Sequence, residues 1–318
     1  MTGPTFVLVG DGHPAAETLK HLLSRGAQVI AAYATAGQMN RGALTRLAEK
    51  AGVPLLDSAD LKSRPVAVSD GVHVDWILNI NSTVLLPDHV LQAARAGSLN
   101  MHPGLLPEYA GLHTHQWAIR NGETVFGITV HEMVPSVDAG DIVHSPTFEI
   151  EDSDTGLSLY LKCMEVGLEG FRRVIDLILS GTPLPRVPQD LSRRTLYRHK
   201  DAIDGIVDWR LAATDLERFV RAGTYAPLSS PSYTPTLRLS AGRDATVLEL
   251  GVAHLAEGEG GLSGQVLQGP GGQGPRVVCG DGTAVCVRRI VVDDKELVGS
   301  EVDPVIVPGQ RLPTKGSP

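Results

Sequence analysis

Asn100, His102 and Asp138 are the residues of this chain whose types and spacing could do chemistry. Asn100 and His102 stand two apart at the end of an apolar run that reads as a strand, so their side chains point to the same face. An amide and an imidazole on one face can aim N–H donors at an oxyanion, and losing one such donor typically costs roughly 2.7–4 kcal/mol of barrier. A carboxylate such as Asp138 near the imidazole favours the imidazolium and can relay a proton, directly or through water. Each residue alone has a plainer reading. Asn before a turn bonds locally to backbone, a lone His is more often structural, and Asp138-Ala139-Gly140-Asp141 reads equally as a surface loop.

The frame around the three residues separates these readings. It runs SLNMHPGLLPEYAG, then WAIRNGE, then GITVHEMVPSVDAGDIV. The ordered set resembles the catalytic signature of the folate-dependent formyltransferases, the family of the glycinamide ribonucleotide, methionyl-tRNA and sugar N-formyltransferases. HPGLLPEYAG and QWAIRNGE look more like the enzymes that act on sugars and small amines. The resemblance covers about the first 185 residues, with a weaker match in the tail. It departs from the family at Gly104, where serine is common, and at Ala110, where a basic residue often precedes the glycine.

The resemblance implies an enzyme that passes a formyl group from N10 of 10-formyltetrahydrofolate to an amine through a tetrahedral intermediate. Asn100, His102 and Asp138 would be its catalytic residues. The folate would lie between Ser82, Thr83, Val84 and Leu85 on one wall and Val134, Pro135, Ser136 and Val137 on the other. Backbone polar groups flanked by aliphatics suit a heterocycle that is apolar on its faces and polar at its rim. Gly12, Tyr109, His113 and His115 would face the acceptor, and His131 would support the strand beneath the site.

The elements that must position these residues read as strands alternating with helices. Phe6–Val9, Val29–Tyr33, Val74–Ile80 and Gly97–Met101 are strand-like, with helical spacing from Pro14 to Arg25 and from Val90 to Arg95. This predicts an open α/β sheet, with ligands at the carboxyl ends of its strands. A hairpin through Phe126–Glu132 and Ile142–Phe148 follows. A long helix then starts near Asp154, its core stripe drawn from Leu157, Leu161, Met164, Leu168, Phe171, Ile175 and Ile178.

A proline-rich connection at Gly181–Pro188 then marks a change of character. Beyond it, Tyr197–Trp209 and LERFVRAGTYAP resemble the start of the family's C-terminal region. Thr236–Leu239, Thr246–Val252, Gly264–Leu267, Val277–Cys279 and Ala284–Val292 are β-prone runs between glycine turns. The expected architecture is α/β: a Rossmann-like formyltransferase domain over 1–188, a linker with a short helical segment over 189–235, and a small OB-like β-barrel over 236–318.

Other chemistries fit less well. Gly10-Asp11-Gly12-His13-Pro14-Ala15 matches a dinucleotide fingerprint, but Ala31-Ala32-Tyr33-Ala34-Thr35 offers no acid for a ribose. The histidines lack a metalloprotease spacing, so no metal is expected. Three cysteines without C-x-x-C spacing argue against a disulfide framework. No apolar run is long enough to span a bilayer, and MTGPTFVLVGDG lacks the features of a signal peptide, so a cytoplasmic protein is expected.

The net charge is −8. Residues 189–318 hold 15 Lys and Arg against 16 Asp and Glu, leaving 13 against 20 before them. Neither part is basic, which weighs against nucleic acid as a partner, and Arg193-Arg194 with Arg198 and Lys200 is the one basic cluster that could grip phosphates. The expected acceptor is the primary amine of a small metabolite, an amino sugar or an amino-acid-derived biosynthetic intermediate. The alternatives are methionyl-tRNA as acceptor, or water in a 10-formyltetrahydrofolate hydrolase. The sequence leaves the oligomeric state open.

Overall fold

The computed structural model describes residues 3–36, 42–66, 72–201, 203–239, 243–256 and 259–316. Ala202, inside the Tyr197–Trp209 segment, lies outside the described residues. Two compact units divide the chain. One holds Met1–Thr114, Val125–Phe148 and Leu161–Tyr197; the other holds His115–Thr124, Glu149–Tyr160 and Arg198–Pro318.

The first unit is built on a sheet. Its strands begin with β1 (Thr5–Gly10), β2 (Gln28–Ala34), β3 (Leu55–Asp57), β4 (Val74–Ile80) and β5 (Ala94–His102). The short β6 (Ala110–Gly111) and β7 (Val125–Gly127) precede β8 (Thr129–Glu132) and β9 (Ile142–His144). The sheet order is β3-β2-β1-β4-β5-β8-β9. Its first five strands pair in parallel, whereas β8 is antiparallel to both β5 and β9. Phe6, Val7, Leu8 and Val9 are wholly buried, as a strand covered on both faces requires.

Helix α1 (Gly12–Ser24) follows β1, and α2 (Ala43–Ala51) follows β2. The chain order reverses between β1 and β4, which opens a crevice at their carboxyl ends. There Asn81 donates through Nδ2 to the Asp11 carbonyl at 3.2 Å. Gly12 takes a φ of +65°, a conformation open to glycine at little cost.

Two helices differ from expectation. In place of a helix over Val90–Arg95, the one-turn α3 (Asp88–Leu91) ends early, and Ala94 already pairs with Val74 at the start of β5. Strand pairing has overridden local spacing. After α4 (Thr114–Asn121), the long helix α5 (Gly156–Leu179) buries Leu159, Cys163, Met164, Leu168, Phe171, Val174, Ile175 and Ile178. Leu161, assigned to that stripe by spacing, is 56% exposed, because the buried face at the helix start runs through Leu159 and Cys163. A Cβ at Gly167 would stand 2.7 Å from the Met101 sulfur. This glycine therefore lets α5 lie close against β5, the strand that carries Asn100 and His102.

The strands β10 (Thr147–Glu149) and β11 (Leu196–Tyr197) pair with β7 and β6, respectively. In the second unit β12 (Thr236–Arg238), β13 (Asp244–Ala253), β14 (Val266–Leu267), β15 (Arg276–Val278), β16 (Ala284–Val292) and β17 (Lys295–Val298) form an antiparallel sheet. Helix α6 (Ala213–Gly223) contributes Leu216, Phe219 and Val220 to its core around the fully buried Trp209. The sequence anticipates five of these strands but not β17, whose exposed Lys295 and Glu296 hide it. Asp293 and Asp294, both at positive φ, turn the chain into it. The expected small barrel is present as an open sheet: among the described residues the end strands β12 and β14 do not pair. No helix among the described residues is long and apolar enough to cross a membrane.

Candidate active site

Strand β5 places Asn100 and His102 on one face, and β8 lays His131 directly opposite Asn100. The loop between β8 and β9 returns Asp138 to the same place. The Oδ2 of Asp138 stands 3.7 Å from His102 Nδ1, and its Oδ1 stands 3.5 Å from His131 Nε2. The structure thus brings the three expected residues together within the first unit.

The hydrogen bonds settle which atoms carry protons. His102 Nε2 lies 2.6 Å from the Tyr109 carbonyl, and a carbonyl only accepts, so Nε2 holds the hydrogen and Nδ1 of the neutral ring holds the lone pair. His131 Nδ1 donates to the Glu132 carbonyl at 2.7 Å. Its Nε2 therefore accepts from Asn100 Nδ2 at 3.1 Å. Asn100 Oδ1 in turn accepts from Asn79 Nδ2 at 3.0 Å. With His131 neutral, this chain leaves the second hydrogen of Asn100 Nδ2 available to an incoming oxygen; the same His131 Nε2 also lies 3.5 Å from Asp138 Oδ1.

Burial, 4% exposure at His102, lowers the pKa of its imidazole; Asp138 and the Tyr109 carbonyl work against that, and His131 works with it. The ring is held neutral at neutral pH. Burial pushes the Asp138 carboxyl up, but the His102 and His131 rings, when they carry a proton toward it, and the Gly111 N–H outweigh it, holding the group below the usual carboxylate range. That N–H donates to Asp138 Oδ2 at 2.8 Å. An anionic carboxylate facing a ring lone pair is arranged to receive a proton on Nδ1 and to stabilise the imidazolium that results. The imidazole N–H that the sequence offered to an oxyanion is committed to Tyr109, and the free amide hydrogen of Asn100 is the donor left for that task.

The other expected site residues fall in different settings. Ser82, Thr83, Val84 and Leu85 lie on the loop after β4, with Leu85 69% exposed, while Leu86 packs against the core. Val134, Pro135, Ser136 and Val137 are exposed on the loop that carries Asp138. Gly12 sits at the crevice beside Asn81. His113 is partly exposed, with a φ of +54°.

Tyr109 is buried, its ring stacked on Tyr197, and it reaches the site through its carbonyl. His115 is buried in the second unit and hydrogen-bonded to the Tyr225 hydroxyl. Sequence reasoning missed Asn79. Its signal was a polar side chain inside the buried run Ile77–Ile80. It also missed the Gly111 N–H and the Tyr109 carbonyl, which have no sequence signal because nearly every residue carries such groups.

An amide, an imidazole and a carboxylate thus gather at the end of a strand in a mixed, mainly parallel α/β sheet, an arrangement suited to acyl transfer. The sequence model of the formyl transferase family matches residues 6–175, more than half of the chain, and the chain belongs to that family as an N-formyltransferase. Methionyl-tRNA formyltransferase of Stutzerimonas stutzeri (strain A1501) is 32% identical over 294 residues, 86% of this chain and 93% of the relative.

Among solved structures, the N-formyltransferase from Helicobacter canadensis in complex with folinic acid and dTDP-3-aminofucose matches with a TM-score of 0.66. It is 16% identical and covers 89% of this chain and 98% of its own. The sugar 3N-formyl transferase WlaRD, solved in the presence of dTDP and 5-N-formyl-THF, matches with a TM-score of 0.68 at 15% identity, covering 92% and 98%. At these identities the two structures speak for the fold.

Proposed function

We propose that this enzyme transfers the formyl group of 10-formyltetrahydrofolate to the primary amine of a small metabolite, an amino sugar or an amino-acid-derived intermediate. The observation that carries the reading is the bond chain from Asn79 through Asn100 to His131, set beside a His102 whose Nδ1 faces Asp138. His102 Nδ1 takes the proton that the attacking amine must lose, Asp138 stabilises the charged ring, and the ring gives that proton to the departing N10 of the donor as the C–N bond breaks. The free hydrogen of Asn100 Nδ2 meets the formyl oxygen as negative charge develops there, an interaction worth most in the transition state.

The lining fits a folate. Leu85, Val134 and Val137 are 69%, 40% and 38% exposed, apolar side chains on two loops whose backbone can meet a polar rim. Ser82, Thr83, Val84 and Leu85 would hold one side of the donor, and Val134, Pro135, Ser136 and Val137 the other. When bound, the donor supplies the formyl carbon and a leaving nitrogen. Relatives of similar fold were solved with folinic acid and 5-N-formyl-THF, which supports this donor class. For the acceptor, Gly12 and His113 are the proposed contacts.

Charge favours a small acceptor. Of the basic cluster that could grip phosphates, Arg194 donates to the Val137 carbonyl and Arg193 pairs with Glu108. The second reading, methionyl-tRNA as acceptor, is favoured by the 32% identity to a relative of that name. The test is mass spectrometry of products after incubation with 10-formyltetrahydrofolate and pools of nucleotide-linked amino sugars and amino acids, with charged initiator tRNA in parallel. A formylated small amine, made at a rate little affected by salt, supports the proposal. Formylation of the tRNA alone overturns it, with affinity falling by a log–log slope of about 0.9 or less per neutralised phosphate.

A further inference from the structure

We propose that Gln189 is a positioning residue for Asp138. Its Nε2 donates to the Asp138 carbonyl at 3.0 Å and to the Gly140 carbonyl at 2.6 Å, clamping the backbone on both sides of Ala139. Asp138 needs such a clamp. It holds a φ of +51°, a left-handed conformation that is uncommon for a residue with a side chain, though less costly for Asp than for most.

The same stretch of chain holds Asp138 from several directions. Val187 exchanges backbone hydrogen bonds with Ile142, at the end of the Asp138 loop. Arg194 donates to the carbonyl of Val137, one residue before Asp138. Leu196 and Tyr197 then pair with Ala110 and Gly111, and the Gly111 N–H grips the Asp138 carboxylate. Residues 187–197 thus fix the Asp138 backbone from one side and the donor to its carboxylate from the other. A segment that reads in sequence as a connection between domains is part of the scaffold of the site.

Gln189 is also a poor choice for stability alone. Its Oε1 is buried with no hydrogen-bond partner among the described residues, an unfavourable arrangement that a leucine of similar shape would remove. What the leucine could not do is donate to the two carbonyls.

The inference rests on the proposed role of Asp138, and the experiment separates the two. Gln189→Leu, Arg194→Ala and Asp138→Ala are compared with the parent for kcat, KM of the formyl donor, melting temperature and the pH dependence of kcat/KM, with kcat expressed per folded enzyme. Misplacing a reacting group by about 1 Å can cost as much as a hundredfold, so Gln189→Leu is expected to lose about tenfold or more in kcat with a nearly unchanged donor KM. The acidic limb of its pH profile should move to lower pH, because a displaced Asp138 no longer supports the charged form of His102.

If Gln189→Leu does not fold, Arg194→Ala carries the test with the same expected direction. A parent-like kcat and pH limb in the folded variant, alongside an inactive Asp138→Ala, overturns the inference and leaves the site reading standing. An active Asp138→Ala overturns both.

Discussion

His102 Nδ1 and Asp138 Oδ2 face each other across 3.7 Å with no proton between them in the neutral ring, because the hydrogen of His102 sits on Nε2 and is given to the Tyr109 carbonyl. In the proposed mechanism the pair is the base that takes the proton of the amine. Replacing His102 with Ala should lower kcat by about 10²- to 10⁴-fold and leave the donor KM little changed. Steady-state kinetics at saturating donor and acceptor check this, and near-normal turnover sinks the mechanism.

Asn79 should matter without touching any substrate. Asn79→Leu removes the donor to Asn100 Oδ1 and frees the amide to turn away. Since Asn79 Oδ1 is itself buried without a partner among the described residues, the change should alter stability by no more than about 1 kcal/mol. The expected outcome is a clear drop in kcat at a nearly constant denaturation midpoint. Unfolding of the variant in step with its loss of activity would assign Asn79 a structural role instead.

Gly104 guards the tautomer of His102. A Cβ added there would stand 2.7 Å from His102 Nε2 and 2.5 Å from the Tyr109 carbonyl oxygen, against the hydrogen bond that joins them. Gly104→Ala should therefore weaken that bond and reduce kcat more than it raises KM. The serine common at this position in the resembling enzymes should do the same here. Unimpaired turnover in both variants would show that the bond adapts.

Stability should fall on the acid side in two stages. The folded His102 ring, depressed below 6.5 first by burial, refuses a proton that the unfolded chain accepts. The unfolded state thus binds more protons, and stability declines as pH drops below about 6.5. His144, lowered by burial and by Arg173, adds the same sign. Asp138, depressed on balance, contributes stability above about pH 3.9 that is lost as pH falls through its folded value. Denaturant titrations across this range should show a shallower loss below pH 6.5 in His102→Asn; an identical slope would assign the effect to His144.

The donor should bind the folded chain and stabilise it. A 5-deaza analogue of the formylated folate at about a hundred times its Kd would add about 2.7 kcal/mol, readable as a rise in melting temperature. Leu85→Asp and Val137→Asp, on opposite walls of the proposed slot, should each diminish that rise while leaving the unliganded melting temperature close to the parent. No shift with the folate alongside a shift with NADH would overturn the donor assignment.

The sequence by itself determined the strands of the sheet and the placing of Asn100 and His102 on one face at the end of β5. Apolar runs such as Phe6–Val9 and Val74–Ile80 have few ways to be buried except as central strands, and the spacing of Asn100 and His102 puts both on one face. Exposed or locally ambiguous pieces were harder to read: β17 carries its charge outward, and Leu161 has the spacing of a core residue but lies where the buried face of α5 has turned away.

Tertiary structure alone decided the rest. The proton positions at His102 and His131 depend on the carbonyls of Tyr109 and Glu132, and the anion at Asp138 is favoured by the His102 and His131 rings together with the N–H of Gly111. Those backbone groups recur in nearly every residue, and only the folded chain determines which of them arrives at the site. The hold of Gln189 on Asp138 likewise spans 51 residues of chain. No local pattern encodes such a bond, because the side chain is common and its partners are backbone oxygens brought near only when β9 and the segment around Val187 have paired.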